Sequence, residues 1–205
     1  RVDGAVADGP TALPGAGQTI GLLEFDRFLV SDVTGWLSLV GFAPTQINRL
    51  SEVQLSGGAA LGPDQDEVLV DIAQVMFLAP GADVVVYDAP FALGSFQALF
   101  NRMLTDGMDV VSNSWSYCEN QTGPADLDSM NSVLLSLAAS GASVLNASGD
   151  TGSTCLNGSP NTIGVPSGSP NATAVGGSSY SWGPAPLYGT ERWWDGSASE
   201  PPNTS

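Results

Sequence analysis

The 205-residue sequence contains no histidine, and only five of its residues are lysine or arginine. Without imidazole there is no His-bound metal and no Ser-His pair, so any general acid or base must be a carboxylate or a Tyr. The scarcity of cations leaves 21 acids unbalanced, at a formal net charge of −16. That balance argues against nucleic acid or an anionic membrane as a partner. It also favours tolerance of acid, because once the carboxylates protonate few positive charges remain to repel one another. The two cysteines, Cys118 and Cys155, fit neither Cys-x-x-Cys nor a zinc pattern. No run of 18 apolar residues occurs, and the N-terminus lacks a signal peptide's basic and apolar regions. The expectation is a soluble chain, one that could already have been processed.

The rest of the chain is organised around residues 63–81. Pro63 and the following aspartates suit a helix start, and Pro80-Gly81 suits its stop. From Val68 to Ala79 only Asp71 and Gln74 are polar, which predicts a buried helix rather than a surface one. Glu67 and Asp71 are four apart and share one face, about one turn from each other. Two like charges on such a helix work against stability unless they are used. The alternative puts Glu67 in a solvated first turn, favoured by the helix dipole, with Asp71 paired to a stray cation.

Residues 1–16, rich in Gly, Ala and Pro, read as a leader or processed segment with little structure, and 17–205 as part of one domain. Strands are expected at Gln18–Phe25, Ala82–Tyr87, Asp109–Ser114, Ser143–Ser148 and Ala172–Val175, with an extended segment at Ile47–Leu55. Helices are expected at Ser31–Val40 (capped by Ser31 or Asp32), Ser95–Leu104 and Asp126–Ser140, the last stopped by Gly141. Residues 178–205 read as loop and irregular structure. Strands alternating with helices imply βαβ units and a parallel α/β sheet covered on both faces. Sites then form beyond the carboxyl ends of the strands, which singles out Glu24, Asp88, Trp115 and Asp150. Asp88 is most simply a loop acid, and Gly149-Asp150-Thr151-Gly152 taken alone is as well explained by a turn.

Five stretches in register carry a family resemblance. They are Gly17-Gln18-Thr19-Ile20 leading to Glu24; Asp66-Glu67-Val68 with Asp71-Ile72 and Leu78 to Ala82; Val110 to Trp115; Ala147 to Gly152; and Pro166 to Pro170 leading to Ala174-Val175-Gly176-Gly177. In order and spacing they resemble the sedolisins, serine-carboxyl peptidases on a subtilisin-like scaffold. The resemblance implies that Glu67 is the general base, that Asp71 orients it and that Glu24 is a further acid. Asp150 would line the oxyanion hole, and Ser114, Trp115 and Ser116 would pair with substrate. Neighbouring, buried acids raise one another's pKa and titrate as a unit, which agrees with those roles.

The family's Ser-Gly-Thr-Ser nucleophile motif and calcium loop are absent, so the sheet is expected to lack its C-terminal part. Either this is the N-terminal chain of a two-chain enzyme, whose partner chain supplies the serine and binds calcium, or it is a truncated product. No cofactor or metal is expected within the chain itself. Ser116 stands where a glycine is usual, and Phe25-Asp26-Arg27 where a Gly-rich turn often follows the first acid. Within this frame Cys118 and Cys155 lie at one sheet edge, and a disulfide is expected to brace the oxyanion loop at roughly 3–4 kcal/mol at most. Two free thiols in a reducing compartment are the alternative. The function expected is an acid-acting serine endopeptidase, secreted or in an acidic compartment, acting on unfolded polypeptides. A non-catalytic peptide-binding domain on the same scaffold is the alternative.

Overall fold

The computed structural model describes residues 12–182 and 188–194. Its centre is a six-stranded, all-parallel sheet made of β1 (Thr19–Glu24), β2 (Leu50–Gln54), β3 (Asp83–Asp88), β4 (Val110–Asn113), β6 (Ser143–Ala147) and β8 (Thr173–Val175). The spatial order is β2-β3-β1-β4-β6-β8. The chain runs outward to β2 and back through β3 on one side of β1, then adds β4, β6 and β8 on the other. The order therefore reverses beside β1, where α/β sheets place their ligands.

Two helices pack on each face. α1 (Val30–Leu39) and α2 (Gln65–Leu78) bury Val33, Leu37, Val68, Ile72 and Met76 against Ile20, Leu22, Val84 and Val86. On the opposite face α3 (Leu93–Asp106) and α4 (Pro124–Ser140) bury Phe96, Phe100, Met103, Leu134 and Leu137 against Leu23, Val111 and Val144. The alternation along each strand thus feeds two separate cores, as a sheet covered on both faces requires. α3 and α4 both end on a left-handed glycine, Gly107 (φ 75°) and Gly141 (φ 96°), where any other residue would be strained.

Several expectations need correction. α2 is not buried all round: Val70 is 53% exposed, Phe77 57% and Leu78 68%. Its apolar composition says that cover is wanted, but not that this chain supplies it. Of Ile47–Leu55 only Leu50 onward is extended, because Pro44 at a helix-start position opens a 3₁₀ turn over Pro44–Arg49. α1 starts on Leu29 without a side-chain cap from Ser31 or Asp32. Residues 178–194 are not irregular throughout, since β9 (Ser178–Trp182) and β10 (Tyr188–Trp193) form an antiparallel pair. Asp88 is no loop acid. It ends β3 fully buried, and its Oδ1 accepts the Ala59 N–H at 2.5 Å. The segment 195–205, the end of the stretch read as irregular, lies outside the described residues.

Residues 13–16 lie against the turn between α2 and β3, where the Gly81 N–H donates to Pro14 O at 2.8 Å. Gly81 is required there, because a Cβ would come within 2.7 Å of Leu13 O. A short antiparallel pair, β5 (Tyr117–Cys118) with β7 (Gly164–Val165), joins the segment after β4 to the later part of the chain.

Candidate active site

Glu24, the last residue of β1, is fully buried. The Trp115 indole N–H donates to its Oε2 at 2.7 Å, and that ring also stacks edge-on against Phe25 with centroids 5.7 Å apart. The other oxygen, Oε1, has no donor partner as a carboxylate. It faces Asp71, so the site is satisfied when a proton sits between the two acids. Burial first, and then the Asp71 charge, push the Glu24 carboxyl well above the usual range, while the Trp115 bond opposes them. The proton therefore belongs on Glu24, with Asp71 accepting from it.

Asp71 projects from the second turn of α2 toward the end of β4. The Ser114 hydroxyl donates to both of its oxygens, at 2.8 and 3.1 Å. Burial raises Asp71, and the hydrogen bonds from Ser114 and Glu24 work the other way. Glu67, one turn earlier, is exposed as a residue, but its carboxyl end turns inward to the same hydroxyl. Partial burial, then the Asp71 charge, raise it, and Ser114 opposes; the charges of Asp150 and Asp64 add to the rise. Three acids from two elements thus gather at one place, with the Ser114 hydroxyl held by Asp71 and with Glu24 and Glu67 acting on Asp71 from either side.

Asp150 sits in the exposed loop after β6, flanked by Gly149 and Gly152, both at positive φ (99° and 63°). Its carboxylate is near enough to Glu67 to act on it by charge. The predicted disulfide is present: Cys118 and Cys155 are bonded, with Cα atoms 5.9 Å apart. It ties the segment that follows Trp115 to the loop that carries Asp150. Ser116, on that segment, lines a cavity of about 230 Å³ together with Ser148, Gly149, Thr151 and Gly152. Among the described residues no group of three or more His, Cys, Asp or Glu is arranged to hold a metal ion.

Sequence reasoning brought forward every acid in this cluster but missed what braces it. Asn113, buried at the end of β4, donates to Trp115 O at 2.8 Å and to Asn146 Oδ1 at 3.0 Å, and accepts the Trp115 N–H at 3.2 Å. The signal was an amide inside an otherwise β-branched strand, in Asp-Val-Val-Ser-Asn-Ser. The Ser114 hydroxyl is engaged by Asp71. Asn146 is buried in β6.

No family profile matches the chain. It is 33% identical over 152 residues to kumamolisin from Bacillus sp. (strain MN-32), a match that covers 71% of this chain and 27% of that protein. Among solved structures it is similar to Pseudomonas sedolisin, a serine-carboxyl proteinase complexed with two molecules of pseudo-iodotyrostatin. There the TM-score is 0.72 at 22% identity, over 90% of this chain and 55% of that one. A lanthipeptide protease gives a TM-score of 0.60 at 14% identity, over 80% and 49%. The chain spans about a quarter of the curated relative it matches and about half of these solved structures.

Proposed function

Sequence and fold together relate this chain to the sedolisin family, over the N-terminal part of that family's catalytic fold, and on that premise we propose that it carries the acid machinery of a serine-carboxyl endopeptidase. The nucleophilic serine belongs to a portion of the protein outside this sequence. The observation that carries the reading is the convergence of Glu24, Asp71 and Glu67 at the carboxyl ends of β1 and β4.

The chemistry follows from where the proton can go. As the serine oxygen bonds to the scissile carbonyl carbon, Glu67 takes the hydroxyl proton, and Asp71 and Glu24 spread the change in charge over the cluster. The carbonyl oxygen becomes an oxyanion, to which a protonated Asp150 donates; such a donor contributes about 3–4 kcal/mol. Glu67 then returns its proton to the leaving amine as the carbon–nitrogen bond breaks. Water repeats the cycle on the acyl-enzyme. Glu24, Asp71 and Glu67, all with carboxyls raised first by burial, share their protons in acid, which agrees with a composition suited to low pH and with a secreted or acidic setting.

The bare surface next to the cluster supports a serine arriving from outside. Glu67, Asp71, Gln74 and Leu78 form one stripe along α2 (i, i+4, i+7, i+11). α1 and α2 cover the β2-β3-β1 half of their sheet face. The continuing half carries Ser112, Leu145 and Thr173 in register with Leu22, and Val175 two residues further along β8 on the same face. Leu145 and Val175 are exposed there. Any calcium that the family requires is assigned to the same outside portion.

The test is the pH profile of denatured-casein cleavage by the full-length protein and its variants. Glu67→Gln is expected to lower kcat by roughly 10²–10⁴-fold, and Asp150→Ala by roughly 10²–10³-fold. Full activity in either variant would remove the role assigned to that residue.

A further inference from the structure

The stretch Phe25-Asp26-Arg27, which stands where the resembling family often has a glycine-rich turn, has no part in the chemistry above. Yet Asp26 is only 3% exposed, and its carboxylate is taken up by backbone amides. Oδ1 accepts from Gly62 and from Arg27, each at 2.6 Å, and Oδ2 accepts from Asp64 at 2.9 Å. The Arg27 guanidinium is directed elsewhere, its Nε donating to Glu52 at 3.3 Å. Gly62 packs so closely that a Cβ there would lie 2.6 Å from Oδ2.

What these amides belong to gives the contact its meaning. Asp64 immediately precedes α2 and offers no side-chain cap of its own, while its carbonyl accepts the Glu67 N–H at 3.1 Å. Two hydrogen bonds through one residue thus connect the Asp26 carboxylate to the Glu67 backbone. β1 ends in Glu24 only two residues before Asp26, so one strand end holds the inner acid directly and the helix of the outer two through its loop.

We infer that Asp26 is a positioning residue for the acid cluster: by anchoring residues 62–64 to the end of β1 it fixes where α2 presents Glu67 and Asp71. This rests on the peptidase reading for its kinetic consequence, though not for the anchoring itself. A buried carboxylate held by three N–H groups is well suited to such a task, because removing it leaves three donors to find partners at once.

The experiment uses the full-length protein with Asp26→Ala, Asp26→Asn and Asp32→Ala. Asp32 is an exposed acid on α1 whose carboxylate accepts from two side chains, Ser31 beside it at 3.4 Å and Gln65 at 2.8 Å, and so serves as the control. Asp26→Ala is expected to lower kcat by roughly tenfold to a hundredfold, as small displacements of reacting groups do. KM should stay within about threefold, and the pH profile of kcat should shift. Asp26→Asn, which keeps one acceptor but turns an amide against the Asp64 N–H, should fall between. Amide hydrogen exchange at residues 62–67 should quicken in both, and Asp32→Ala should behave as wild type.

Unchanged kcat and pH profile in the Asp26 variants would overturn the positioning role, even with a lowered Tm. Should Asp26→Ala fail to fold, Asp26→Asn decides on the same readouts. A wild type that cleaves nothing would sink the peptidase reading alone. In that case, faster exchange confined to residues 62–67 upholds the anchor, and unaltered exchange removes it.

Discussion

Glu24 illustrates how a single side chain sets the terms of the site. A carboxylate buried among Phe25, Trp115 and a second acid is costly to ionise, so the residue holds a proton that its neighbours use. The Trp115 indole is the one donor that favours the charged form. Trp115→Phe should therefore cost about 1–3 kcal/mol of stability, with the larger loss where Glu24 is driven to ionise. Urea unfolding at pH 4 and pH 8 checks this. A loss of equal size at both would mean that the indole serves packing only.

Elements place these residues, and at this scale the sequence was a partial guide. Strand ends, glycine stops and the Glu67–Asp71 spacing were legible because each depends on neighbours within one turn or one strand. Asp26, Asp88 and Asn113 were not, because their partners (Gly62 and Asp64, Ala59, Asn146) lie 29 to 38 residues away across the fold. The β9–β10 pair was missed for a related reason, since Gly and Pro between short runs look the same in a hairpin and in an irregular segment. α2 misled in the opposite direction. Its apolar residues were read as buried, whereas Leu78 is exposed on the flank that continues from Glu67.

That exposure can be tested at the same scale. A surface substitution is usually worth within about 0.5 kcal/mol. If another part of the full-length protein covers the stripe, Leu78→Ala should cost about 2–5 kcal/mol there, as measured by thermal unfolding. A change within the surface range would show the flank to be bare in the whole protein too.

For the molecule as a whole, the buried acids predict how stability varies with pH. Glu24, Glu67, Asp71 and Asp88 all have folded-state values raised above the ordinary carboxylate range, Asp88 to about 6 through burial and the nearby Glu52. The folded state therefore holds protons that the unfolded chain has released. This contribution is complete below about pH 4, where unfolded carboxylates still carry their protons, and is lost as pH rises through the folded values. The net charge of −16 acts in the same direction near neutrality. Denaturant unfolding between pH 4 and pH 7 should show falling stability, and Asp88→Asn should flatten the slope around pH 6. Stability that rises over that interval would contradict the raised values.

One measurement goes furthest toward the central claim, that shared carboxyl protons do the work of the absent imidazole. It is the pH dependence of kcat/KM for the full-length protein on an uncharged peptide substrate. The account predicts a bell lying wholly on the acid side of neutrality, its limbs set by the coupled titration of Glu67 with Asp71 and Glu24. A rate that climbs through pH 7 to a plateau would contradict it.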